Sequence, residues 1–274
     1  PAKSDQFTPA FDITSISSYS NCLAQVRYGF NKEHDPLAQI NLALLYGQRS
    51  GLPFYYRKLA GNIPDVRTVR NLLADLDHLG CQKIKLVMDR GFYSEENVNG
   101  LLREHLRFIM ATRMQLNYVQ NELDKVRDSM RNWDNYSPKY DLYARTSTIV
   151  WKYRQDRPYK GDQIEEDRRM YLHLYYNSER AVEDEKRHNL LLIMLQNELE
   201  SGETKPAHEA DYAKYFEVTK TPVRGVRVTA RQQAIDEAKK NYGYFTLISN
   251  DIKDPIRALE IYRNKDLVEK AFGN

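Results

Sequence analysis

Cysteine is almost absent. Cys22 and Cys81 are the only two in 274 residues; they sit far apart with no CxxC spacing, which excludes a disulfide framework or a zinc knuckle and suits a reducing compartment. The six histidines form no HxxxH pair. Long apolar runs are missing as well. No window approaches the ~18 consecutive apolar residues of a membrane span, and the first residues, PAKSDQFTPAF, lack an apolar signal core. The chain is therefore expected to be soluble and cytoplasmic. It contains no GxxxxGK[ST], no GxSxG and no Cys–His pair with a local signature. Internal repeats and low-complexity tracts are absent too.

What is present is a globular composition. Hydrophobic residues make up 41% of the chain, enough for a core in one large domain or two ordinary ones. The 41 basic side chains nearly balance 38 acidic ones, giving a net charge of +3, so any basic surface must be local. The start at Pro1 without methionine, and the end at Asn274 inside what reads as an amphipathic helix, suggest a fragment of a longer polypeptide.

Three β-like runs come first, FDITSIS, INLALLYG and PFYYRKL, separated by Gly, Pro, Asn and Asp in the manner of an antiparallel meander. Val66, Val69, Leu72, Leu73, Leu76 and Leu79 then recur at helical spacing before Gly80, which predicts a helix over 66–79. KIKLVM reads as a strand, Ser94 opens a second helix reaching His105, and LRFIMAT reads as a strand over 106–112. Three strands, then helix, strand, helix, strand is a mixed α/β pattern.

Between 115 and 242 tyrosine and charge become dense. STIVWKY and MYLHLYY are β-like, a charged helix is expected over 178–199, and ESGETKPAHEAD, near 200–211, is the best candidate for a flexible loop. GYFTLISND restores a strand of the first type, and DPIRALEIYRNKDLVEKAF forms a closing helix with Pro255 near its first turn, where a missing N–H does no harm. The division that follows is 1–114 as the first part of a core, 115–242 as a β-rich insertion with one long helix, and 243–274 as the end of the core.

Several acids could carry chemistry. Asp12 stands mid-strand, opposite in the pleat to Phe11 and Ile13, where an acid is costly if buried; an edge strand or exposed face would equally accommodate it. Asp89 closes KLVMD before the turn RGFYS, either as a cap of that turn or as a metal ligand at a strand end. A third acid would come from Glu260, Asp266 or Glu269 in the closing helix. Tyr262, Lys265 and Glu269 follow one another in steps of three and four and share one helix face; the bland alternative is a surface Lys–Glu pair. Three carboxylates suit Mg²⁺, a hard cation that takes oxygen ligands. Basic clusters at 67–70 (RTVR) and 224–231 (RGVRVTAR) could touch phosphates or be solvated faces. The aromatics of YSPKYDLYARTSTIVWKYRQDRPYKG could stack on bases or pack across strands.

FDITS, then LVMDRGFYS, then YRNKDLVEKAF resembles the three acidic blocks of DDE transposases from bacterial insertion sequences, the last block being similar to the YREK signature, Y-x2-R-x3-E-x6-K. Tyr262 and Glu269 match it, Lys265 stands at the arginine position, and the final lysine position falls beyond Asn274. Lysine keeps the charge there but loses the planar bidentate donor. The resemblance implies a ribonuclease H-like mixed sheet with strand order 3-2-1-4-5, flanking helices and a large β-rich insertion. It implies Asp12, Asp89 and Glu269 as catalytic metal ligands for two Mg²⁺ ions, replaceable by Mn²⁺, with Tyr262 and Lys265 contacting DNA. Double-stranded DNA, as transposon ends and target, is the implied partner, with a homo-oligomer assembled on it at the bacterial nucleoid and no membrane. The implied activity is endonucleolytic cleavage at transposon ends with strand transfer. A decayed DNA-binding relative and a stand-alone metal-dependent nuclease are the alternatives.

Overall fold

The computed structural model describes residues 9–17, 26–28, 38–47, 53–78, 84–157, 161–221 and 225–264. Strands β1 (Pro9–Ser17), β2 (Gln39–Gly47) and β3 (Pro53–Ala60) form the expected antiparallel meander, with Asp12 opposite Leu44. The meander closes on Gly61, where an added Cβ would lie 2.1 Å from the Gln39 carbonyl oxygen, so no side chain fits. Helix α1 (Asp65–His78) follows; its buried Val69, Leu72, Leu73 and Leu76 form the apolar stripe read from the sequence. Arg57 of β3 reaches Asp75 of α1 at 2.6 Å and fastens helix to sheet. The expected C-cap at Gly80 lies outside the described residues.

Strand β4 (Lys85–Met88) is short and apolar, with Leu86, Val87 and Met88 fully buried, as a strand covered on both faces requires. Helix α2 (Glu95–Arg103) begins where Ser94 Oγ accepts the Asn97 N–H at 3.0 Å, the N-cap foreseen from the sequence. Then come β5 (Arg107–Ala111), α3 (Asn117–Val126), β6 (Tyr136–Ser137), β7 (Leu142–Arg157), β8 (Asp162–Tyr176) and α4 (Ser178–Ser201). Helix α5 (Glu209–Tyr215), strands β9 (Phe216–Thr221) and β10 (Gly225–Ala230), helix α6 (Gln232–Lys239), strand β11 (Tyr244–Ser249) and helix α7 (Pro255–Arg263) complete the chain. Asp254 caps α7 by accepting the Arg257 N–H at 2.7 Å, and Pro255 occupies the first turn. The remainder of the expected closing helix lies outside the described residues.

The loop expected over 200–211 is corrected by the structure. Helix α4 runs to Ser201 and stops at Gly202, whose φ of +79° is the left-handed value a C-terminal glycine tolerates. A 3-10 turn at Pro206–His208 then leads directly into α5. The cause is Glu198, a buried carboxylate that receives Lys205 at 2.8 Å, His208 at 2.7 Å and the Tyr212 hydroxyl at 2.5 Å. These donors hold its carboxyl down at about 2, and their long-range convergence orders a segment whose composition reads as loop.

The chain divides into two compact units. The first comprises Pro1–Asp128, Ala144–Leu174 and Phe245–Asn274, and the second Ser129–Tyr143 and Tyr175–Tyr244. In the first, the sheet order is β3-β2-β1-β4-β5-β11-β8-β7. Strands β1, β4 and β5 run parallel, and β11 returns antiparallel to β5. This is a mixed α/β fold whose first five strands take the order 3-2-1-4-5. The second unit packs α4, α5 and α6 around Leu195, Tyr212, Tyr215, Phe216 and Ile235, with the β9–β10 hairpin beside them.

Candidate active site

The site is built on two neighbouring strands of the first unit. Strand β1 pairs with β4 in parallel, Ala10 opposite Val87. Asp12 stands two residues beyond Ala10 within β1, and Asp89 two residues beyond Val87, immediately past the end of β4, so both acids follow the same register pair on neighbouring strands. Alternation along the pleat puts Ala10 and Asp12 on one face of β1, with Phe11 and Ile13 on the other. Phe11 and Ile13 are buried, whereas Asp12 and Asp89 are only partly so.

The turn after β4 is locked from below. Phe92 is buried against Phe11, ring centroids 4.9 Å apart. The Asn97 side-chain amide donates to the carbonyls of Val66, at 2.7 Å, and Phe92, at 2.8 Å, which ties the turn to α1 and α2. The capping role weighed for Asp89 is real: its Oδ1 accepts the Arg90 N–H at 2.7 Å at the head of the 3-10 turn Arg90–Phe92. A second donor reaches the same oxygen from the far end of the chain, the Tyr262 hydroxyl, also at 2.7 Å. Capping and clustering therefore coexist. Asp12 Oδ1 accepts the N–H of Ile13 at 2.8 Å.

Helix α7 delivers Tyr262 because Ile261 and Tyr262 pack on a cluster formed by Ala10, Leu44 and Val87. That cluster includes the residue pair that sets the β1–β4 register. The structure thus brings Tyr262 onto Asp89, with Asp12 on the strand beside β4. Lys265 and Glu269, and with them Asp266, lie outside the described residues. Among the described residues no three His, Cys, Asp or Glu side chains gather as a metal site. The two aspartates nevertheless suit a hard divalent cation, since each offers carboxylate oxygens.

The basic clusters are not concentrated here. In RTVR, Arg67 is exposed and Arg70 pairs with Glu96. In RGVRVTAR, of which Gly225–Ala230 form β10 of the second unit, Arg227 is exposed and Arg231, just after the strand, donates to the Phe216 carbonyl at 3.1 Å. Some of the aromatics pack in a row of rings: Tyr136 lies 5.3 Å from Tyr143, Tyr143 6.2 Å from Tyr176, and Tyr176 4.9 Å from Tyr244. Trp151 and Tyr153 are buried in the first unit. Trp133, which sequence reading passed over, is 88% exposed at the head of the turn Trp133–Asn135 in the second unit. Its only sequence signal is the polar setting, RNWDN, where a tryptophan has little apolar sequence to pack with.

The family described as Transposase DDE domain matches residues 10–274, and the chain belongs to it. DDE transposases generally use divalent metal ions. None of the curated proteins compared with the chain matches it. Among solved structures, the chain is similar to the piggyBac transposase in a synaptic complex with hairpin DNA, at 10% identity and a TM-score of 0.44. The similarity covers 96% of this chain and 39% of that one, so this chain spans well under half the length of that protein. No described helix is long and apolar enough to cross a membrane.

Proposed function

We propose that this chain is the catalytic domain of a DNA transposase that hydrolyses phosphodiester bonds at transposon ends and joins the freed 3′-hydroxyls to target DNA. The observation that supports the reading is that Asp12 lies within β1 and Asp89 directly follows β4, the parallel neighbour of β1, in a chain of the DDE family. Asp12 and Asp89 would hold the metal, with Glu269 of the closing helix as the third carboxylate. A pair of Mg²⁺ ions held there, or Mn²⁺ in their place, would supply activation of the attacking oxygen and charge stabilisation of the leaving one. The chain's own part is to present the acids from rigid elements: Asp12 from mid-strand, Asp89 from a strand end pinned by Phe92 and Asn97.

Tyr262 and Lys265 stand as contacts to the DNA backbone, and their spacing supports membership of the YREK group of bacterial insertion sequences. Residues 1–114 and 243–274 serve as the catalytic core, with 115–242 as an insertion whose exposed aromatic and basic residues help hold a flipped base or the partner end. Trp133 is the insertion residue whose exposure best supports that part. Double-stranded transposon ends and target DNA are the substrates, a homo-oligomer is the working assembly, and the bacterial nucleoid in the cytoplasm is the place of action.

The test is incubation of the full protein with its terminal repeats and Mg²⁺, comparing wild type with Asp89→Ala. Loss of end cleavage in the variant supports the reading, and unchanged cleavage sinks it. Joined products distinguish a transposase from a stand-alone nuclease, which yields nicks only; DNA binding without either product identifies a decayed relative.

A further inference from the structure

We infer that Tyr262 is a positioning residue for Asp89: in the DNA-free protein its hydroxyl fixes the Asp89 carboxylate beside Asp12. The inference rests on the reading of Asp89 as a metal ligand and goes beyond it in giving the tyrosine a task before DNA arrives.

Two hydrogen bonds of 2.7 Å converge on Asp89 Oδ1, and they come from unlike places. The Arg90 N–H belongs to the same turn and moves with it. The Tyr262 hydroxyl comes from α7, 173 residues along the chain, and refers the carboxylate to a separate element. Together they constrain both the displacement and the rotation of the group, as outer hydrogen bonds to metal-ligating carboxylates do. The tyrosine is itself fixed, because its ring packs on the cluster of Ala10, Leu44 and Val87. The anchor of the hydroxyl therefore includes Ala10 and Val87, the pair that joins β1 to β4.

A phenol has one proton to donate, while an ionised carboxylate and a phosphate diester only accept. While Tyr262 donates to Asp89 it cannot donate to a DNA phosphate. Its two roles are thus successive, and the first is measurable without DNA.

The probe is Mn²⁺, titrated by electron paramagnetic resonance into DNA-free full protein as wild type, Tyr262→Phe, Asp89→Asn and the double variant. Phenylalanine keeps the ring and its packing, so the thermal midpoint is expected to stay near wild type. Tyr262→Phe should weaken Mn²⁺ binding roughly tenfold, Asp89→Asn should weaken it further, and the double variant should match Asp89→Asn alone. Wild-type Mn²⁺ affinity in Tyr262→Phe, with Asp89→Asn still defective, overturns the positioning role and leaves the metal-ligand reading standing. Wild-type affinity in Asp89→Asn overturns both. A tenfold loss in Tyr262→Phe that persists equally on the Asp89→Asn background also overturns the inference, since the hydroxyl would then act independently of that carboxylate.

Discussion

The two units of this chain are held together by different chemistry. The first is a sheet whose central strands, β1 and β4, bury aliphatic and aromatic side chains almost completely: Phe11, Ile13, Leu86, Val87 and Met88 are each at most 2% exposed. The second has a small helical core around Leu195 and relies on polar and aromatic staples. Glu198 gathers three donors, the rings of Tyr136, Tyr143, Tyr176 and Tyr244 stand in sequence, and Gly243 has φ +76° with no room for a side chain beside the Asn177 carbonyl. A dry, close-packed sheet resists small displacements, which suits the proposed task of holding two carboxylates.

The contrast is broken most severely at the first unit's acids. Asp12→Asn removes a charge and little else, so the fold should survive while DNA cleavage falls by roughly 10³-fold, the loss expected when several kcal/mol of metal-borne stabilisation disappear. Circular dichroism and a gel assay of end cleavage read the two effects separately.

Next in size is the second unit's core. Leu195 is fully buried among Tyr212, Tyr215, Phe216 and Ile235. Leu195→Ala should cost about 2–5 kcal/mol, seen as faster amide hydrogen exchange in α4, α5 and α6. Equal acceleration of exchange in β1 and β4 would contradict the contrast.

A pH titration tests the dryness of the first unit. His173 is completely buried, with Nδ1 2.8 Å from Thr146 Oγ1, and burial pushes its imidazole from 6.5 down to about 4. The folded state therefore binds fewer protons than the unfolded one between those values. Stability contributed by the neutral ring is complete above about pH 6.5, is lost as pH falls toward 4, and changes no further below, for a total of roughly 3 kcal/mol. Chemical denaturation across that range should show the slope, and His173→Gln should flatten it.

The smallest effect concerns Trp133. Exposed as it is, Trp133→Ala should alter stability by less than about 0.5 kcal/mol. If the indole stacks on a base, binding of transposon-end DNA should weaken by about 1–3 kcal/mol, measured by fluorescence anisotropy. Unchanged binding would remove Trp133 from the proposed interface.

Much of the element order was legible in advance, for local reasons. The stripe from Val69 to Leu76, the Ser94 cap, Pro255 in a first turn and the apolar run before Asp89 are all written within a few residues of one another. Asp12 and Asp89 could be named as candidates because an acid in or at the end of an apolar strand conflicts with its neighbours. The segment around 205 misled, since Lys205, His208 and Tyr212 read as loop until Glu198 collects them. Trp133 was passed over because exposure is not a local property of its sequence.

By itself, then, the sequence determined the elements with a clear local pattern, among them β1 to β5, α1, α2 and α4, because periodicity and hydrogen bonding at short separation decide those. The further helices α3, α5 and α6, between 115 and 242, went unread. Only the tertiary structure decided that β1 lies beside β4 with Ala10 opposite Val87, and that the Tyr262 hydroxyl ends on Asp89. Both depend on packing between segments far apart in the chain, where a shift of one residue in register would turn an acid to the opposite face, and the pattern of either segment alone carries no record of its partner.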